Sequence, residues 1–148
     1  GYIKVSDANK NRPSIEVAAG VVFKNKRLLI TRRKKNDYLG GFWEFPGGKR
    51  KSNETFEECL KRELMEELGI EVNVGELLWS MTHNYPDIRV HLRFFFCSNI
   101  KGEPKPIGCD AVEWITREQL SEYKFPEADA MLVDLLYSLP KLWEKASR

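Results

Sequence analysis

Apolar positions along the chain fall into two rhythms, and the change from one to the other marks the elements. Residues 15–23 (IEVAAGVVF) and 28–33 (LLITRR) are short runs rich in β-branched and aliphatic side chains, parted by Lys24-Asn25-Lys26-Arg27, which predicts a pair of strands joined by a tight turn. Residues 34–51 carry Gly40-Gly41 and Pro46-Gly47-Gly48 and hold no run long enough for either period, so they read as loop. From Thr55 the rhythm becomes helical. Thr55 followed by Glu58 has capping-box spacing, and Phe56, Leu60, Leu64 and Leu68 recur every four residues until Gly69, predicting a helix over 56–68. Residues 72–79, 88–97 and 111–115 return to strand character, with Phe94-Phe95-Phe96 expected at a sheet centre. A last helix is expected over 127–139, ended by Pro140. Residues 1–12 are polar and without period, and read as a flexible tail ahead of one domain over 13–148.

Composition narrows the class. A chain of 148 residues with 42% apolar residues can bury a core without staples, and no apolar run approaches the length of a membrane span. No secretory leader is recognisable, and the three cysteines, Cys59, Cys97 and Cys109, show no CxxC spacing. Free thiols in a soluble, cytoplasmic protein are expected. The net charge of +2 is unremarkable as a total, but residues 24–51 alone carry ten basic and two acidic side chains, a net of +8, so the remainder carries −6. Such a segment is either a solvated face or a collar for a polyanion placed beside an acidic site.

The acidic counterpart lies on the first helix. Glu63, Glu66 and Glu67 stand at i, i+3 and i+4, share one face, and flank the leucine stripe. Like charges crowded at the edge of a core repel unless a cation lies between them, and carboxylate oxygens suit a hard divalent ion. An ordinary charged helix surface would read the same way, so the frame around the fragment decides. From Gly48 the chain runs GKRKSNETFEECLKRELMEELGI: Gly48, five residues, Glu54, seven residues, then Arg62-Glu63-Leu64-x-Glu66-Glu67-x-Gly69-Ile70. Seven fixed positions, each filled by chance about 7% of the time, coincide at random on the order of 10⁻⁸ per start site. This resembles the signature of the Nudix hydrolases at every specified position. ITRR (30–33), EFPGGK (44–49), YPD (85–87), GEP (102–104), Trp114 and FPEAD (125–129) are similar to the MutT-type branch, which cleaves nucleoside triphosphates.

That resemblance implies an α/β fold, the Nudix α/β/α sandwich with a mixed β-sheet, and a Mg²⁺ cofactor (or Mn²⁺) on Glu63, Glu66, Glu67 and the Gly47 carbonyl. Arg62 would fix a glutamate rotamer, and Glu54 would support the loop instead of touching metal. Arg33 and Lys49, with Arg32 or Lys51, would hold outer phosphates. Phe45 and Asp129 would surround the base, with Tyr38 or Trp43 available to stack. His83 and His91 have no metal-ligand spacing and are expected to be structural. Gly108 stands where several family members carry a further glutamate, which leaves Glu63 as the favoured general base and Asp110 as the alternative. An ionised Asp129 only accepts hydrogen bonds, which favours guanine with its paired N1–H and N2–H₂ donors; the alternative is that Asp129 only caps the last helix. Three functions remain open: hydrolysis of free nucleoside triphosphates, removal of pyrophosphate from an RNA 5′ end, and a catalytically silent binding module. No membrane partner is expected, and a monomer and a homodimer are both compatible with the sequence.

Overall fold

The structure, a computed structural model, describes residues 12–145; apart from Arg12, the expected tail lies outside them. The sheet has seven strands. β1 (Ser14–Lys24) runs parallel to β6 (Arg89–Lys101) from Ser14↔Arg89 to Val22↔Cys97, and every other pairing is antiparallel, so the sheet is mixed. β5 (Glu71–Asn84) lies outside β6, and β2 (Arg27–Arg32) leaves β1 to pair with β3 (Trp43–Glu44) and β7 (Ala111–Ile115). The β1–β2 hairpin closes through Asn25 and Lys26, both at positive φ (52° and 63°), the turn whose twist matches that of the flanking strands.

Successive side chains of β1 enter opposite layers, which is why 18–23 reads as one unbroken apolar run. Ala18 and Val22 pack beneath α1 (Phe56–Leu68) with Leu60, Leu64 and Leu68, whereas Ala19, Val21 and Phe23 face Leu132, Leu136 and Trp143 of two later helices. Helices on both faces make the expected sandwich. Phe94, Phe95 and Phe96 are buried in β6 between β1 and β5, as expected for a central strand. The α1 boundaries agree with the sequence reading, and both arms of the Thr55/Glu58 capping box are made, Thr55 N–H to Glu58 at 2.8 Å and Glu58 N–H to Thr55 at 3.0 Å. Gly69 ends the helix at φ 69°.

Two expectations are corrected. The segment 34–51 is not all loop, because β3 and β4 (Gly47–Lys49) form within it; Gly47 and Gly48 pair with Ala19 and Ala18, an approach so close that a Cβ on Gly47 would collide with the Ala18 carbonyl. The last helix is also broken up. A 3₁₀ turn (Glu127–Asp129) leads into α2 (Ala130–Tyr137), and Pro140 opens α3 (Pro140–Lys145) instead of ending anything, because proline at a first helical position loses no hydrogen bond. The three cysteines are buried and free, and among the described residues no helix is long and apolar enough to cross a membrane.

Candidate active site

A cleft of about 840 Å³ opens over the β1–β6 face. Alternation along the parallel pair puts Ile15, Val17 and Ala19 beside Val90, Leu92 and Phe94, so the floor is apolar. The charged lining of the cleft comes from three elements: α1 contributes Glu63 and Glu67, β4 contributes Lys49 beside Gly47 and Gly48, and the turn after β2 contributes Arg33 and Lys34. Tyr38, Tyr85, Pro126 and Asp129 complete the wall.

The helix carboxylates have distinct surroundings. Arg62 is a hub: it donates to Glu54 at 2.7 and 3.0 Å, to Glu63 at 2.8 Å, to Glu66 at 3.2 Å and to the Lys49 carbonyl at 3.0 Å. Those bonds, Glu54's first, raise Arg62's pKa above its already high value, and the same guanidinium holds Glu54 down to about 2. Glu54 therefore supports the loop, as expected from the sequence. Arg62 does not itself line the cleft; what it touches is Glu54, Glu63, Glu66 and the Lys49 carbonyl. Glu66 is more than half exposed and faces Arg62 outside the cleft wall. Glu63 sits where a Cβ on Gly48 would be, so only glycine leaves room for its carboxylate. Glu67 has no such counter-ion. Burial, then the charges of Glu63 and Glu44, push its pKa up to about 8.

Among the described residues no three His, Cys, Asp or Glu side chains converge as a ready-made cage. The donor set nevertheless fits a divalent cation: the Glu63 and Glu67 carboxylates share one helix face at the cleft wall beside Gly47, and burial first, then the charges of Glu63 and Glu44, makes an ionised Glu67 unfavourable unless a cation lies against it.

Of the residues expected at the substrate, Arg33, Lys49, Phe45, Tyr38 and Asp129 all line the cleft. Phe45 is 4% exposed and stacked on Phe125, so it offers the cleft an edge of the core. Asp129 begins α2 but makes no side-chain cap hydrogen bond, which removes the capping role. Burial, then the charge of Glu44, pushes its carboxyl up to about 7, so it is not the fully ionised acceptor assumed from sequence. Trp43 packs edge-on against Tyr123 beneath Arg32, and neither Trp43 nor Arg32 lines the cleft. Lys51 is outside the lining too, its N–H donating to Glu54, and Asp110, also outside it, accepts from the Lys35 N–H at 3.0 Å. His91 bonds Thr82 at 2.9 Å and His83 packs on Tyr85.

Glu44 was missed. It lines the cleft, pairs with Arg33 at 2.9 Å, and has a pKa raised by burial against the opposing pull of Arg33. Its only sequence signal was an acid, Glu44, two residues before Pro46-Gly47-Gly48 inside a strongly basic segment.

A family model described as "NUDIX domain" matches residues 18–135. The chain belongs to the Nudix hydrolase family. This Nudix hydrolase is 43% identical over 94 residues to an 8-oxo-dGTP diphosphatase of Proteus vulgaris, covering 63% of the chain and 84% of the relative. It is 31% identical over 125 residues to a CTP pyrophosphohydrolase of Escherichia coli, covering 84% and 93%. The solution structure of the E. coli ORF135 protein superposes with a TM-score of 0.78 at 30% identity, covering 88% of this chain and 93% of that one.

Proposed function

We propose that this Nudix hydrolase is a Mg²⁺-dependent pyrophosphohydrolase that cleaves nucleoside triphosphates to a monophosphate and pyrophosphate, with Mn²⁺ able to replace Mg²⁺. The observation that carries the reading is what one cleft brings together: the Glu63 and Glu67 carboxylates and the Arg33 and Lys49 cations, over an apolar floor with Asp129 in its wall. A polyphosphate joined to a flat heterocycle offers partners for both kinds of surface, and the two relatives described above are named for nucleoside triphosphates that differ in base.

Glu63, Glu67 and the Gly47 carbonyl, which line the cleft, would hold the ion, and Glu66 would join them by turning its side chain from Arg62. A bound Mg²⁺ supplies charge neutralisation at the phosphate oxygens and orientation of the attacking water. Arg33 and Lys49 hold the outer phosphates. Glu63 accepts the proton of the water, kept in its rotamer by Arg62 on one side and the open space at Gly48 on the other. Asp129 reads the base. Ionised, it accepts guanine's N1–H and N2–H₂ together; protonated, it offers one donor and one acceptor, which match cytosine's N3 and N4–H₂.

The test is product analysis with Mg²⁺ on GTP, dGTP, 8-oxo-dGTP, CTP and ATP, beside a 5′-triphosphorylated RNA. Release of pyrophosphate and monophosphate from free nucleotides is the expected result. Cleavage of the RNA alone would transfer the assignment to the RNA 5′ end, and no cleavage of any would leave a binding module.

A further inference from the structure

We propose that Glu44 is the positioning residue of Arg33: it holds the guanidinium so that its remaining N–H groups meet the pyrophosphate end of the substrate. The inference rests on the reading of Arg33 as a ligand of the outer phosphates.

A guanidinium carries five N–H donors in a rigid fork. In Arg33 the Nε–H donates to the Tyr38 carbonyl at 2.7 Å, and one Nη1–H donates to Glu44 Oε1 at 2.9 Å. Two anchors in different directions fix the plane of the fork, and three N–H groups remain on a side chain that lines the cleft. The backbone is held as well, with the Arg33 N–H on the Phe42 carbonyl at 2.9 Å and the Gly41 N–H on the Arg33 carbonyl at 3.1 Å. Glu44 itself is set by the sheet, opposite Thr31 in the β2–β3 register, and Thr31 is buried. The anchor thus sits on a paired strand, whereas the residue it holds begins a loop. A long cationic side chain loses much rotamer freedom on binding a phosphate, and a fork already held by its neighbours loses less.

Inhibition by inorganic pyrophosphate, against inhibition by guanosine monophosphate, separates this role from a general loss of structure. Glu44→Gln keeps the shape of the side chain and removes the charge that holds the fork; it is expected to raise the pyrophosphate Ki about tenfold and leave the monophosphate Ki within about twofold. In the double variant Glu44→Gln/Arg33→Ala, pyrophosphate binding should be no weaker than in Arg33→Ala alone. Arg33→Lys keeps the charge without the fork and should weaken pyrophosphate binding as Arg33→Ala does, which tests the same idea even where Glu44→Gln does not fold. If Arg33→Ala leaves the pyrophosphate Ki unchanged, Arg33 is not a phosphate ligand and the underlying reading fails. If Arg33→Ala raises it while Glu44→Gln or Arg33→Lys does not, or the two losses add, the positioning role alone is overturned.

Discussion

At Gly48 a hydrogen in place of a methyl group leaves the space that the Glu63 carboxylate occupies. Gly48→Ala would push Glu63 out of its rotamer while disturbing only the far end of a flexible side chain. Displacement of a reacting group by about an ångström costs on the order of a hundredfold, so kcat should fall about that much with stability changed by less than about 1 kcal/mol; kinetics and thermal melting of the one variant check both halves. Asp129 carries the second prediction at this scale. Its pKa is raised to about 7, so the ionised form gains as pH rises through 7. The ratio of kcat/KM for GTP over CTP should therefore climb from pH 6 to pH 8, by a fraction of the roughly 1 to 3 kcal/mol that a bidentate base contact is worth. In Asp129→Asn, which does not titrate, the ratio should be flat. A ratio that is also flat in the wild type would remove Asp129 from base choice.

Among the elements, the β1–β2 hairpin is the one whose local chemistry conflicts with its geometry. Asn25 tolerates its positive φ, but Lys26 holds φ 63°, a conformation that costs an ordinary residue about 1 to 2 kcal/mol. Lys26→Gly removes that strain at the cost of a more flexible unfolded chain, for a net gain of about 0.5 kcal/mol and a Tm increase of about 1–2 °C. A lower Tm would mean that the Lys26 side chain contributes something the turn geometry does not show. Helix α1 shows the opposite case, every local signal agreeing with the tertiary outcome: a reciprocal cap, a leucine stripe meeting Ala18 and Val22, and a left-handed Gly69. Those signals are all short-range, which is why its bounds were legible residue by residue. The 34–51 segment was not legible because β3 and β4 exist only through pairing with β2 and β1, partners that a local window does not contain. Pro140 misled for a related reason: a proline that stops one helix and a proline that starts the next look alike until the chain direction is known.

For the whole molecule, acid–base behaviour in metal-free buffer reports how the charges are assembled. Glu67 is raised from 4.5 to about 8 and Asp129 from 3.8 to about 7, so the folded state holds protons the unfolded chain has released; the stability they contribute is complete below about pH 4 and is lost as pH rises to about 8. Glu54 is lowered from 4.5 to about 2, and its contribution is present above 4.5 and lost on acidification toward 2. For these three groups together metal-free stability should then peak near pH 4 and decline toward pH 8, and saturating Mg²⁺ should flatten the decline by taking the place of the proton at Glu67. Melting curves across pH 3 to 9, with and without Mg²⁺, check this; a Tm that rises steadily from pH 5 to 8 without metal would contradict the assembled acidic cluster.

The strand runs and the α1 carboxylates followed from sequence by itself, because they are written in residue spacing over a few turns, period two and period four; the Gly48-to-Ile70 frame carried the resemblance to the family, and the sandwich came with that resemblance. Tertiary structure alone decided which charges face one another. It turned Arg32, Lys51 and Asp110 away from the cleft, drew Arg62 into a hub outside it, brought Glu44 to Arg33 and within reach of both Glu67 and Asp129, and buried Asp129 so that its carboxyl titrates near neutrality. The physical reason is range. Backbone propensity and side-chain periodicity act between near neighbours in sequence, whereas burial and Coulomb interaction act through space, between side chains that only the folded sheet brings together.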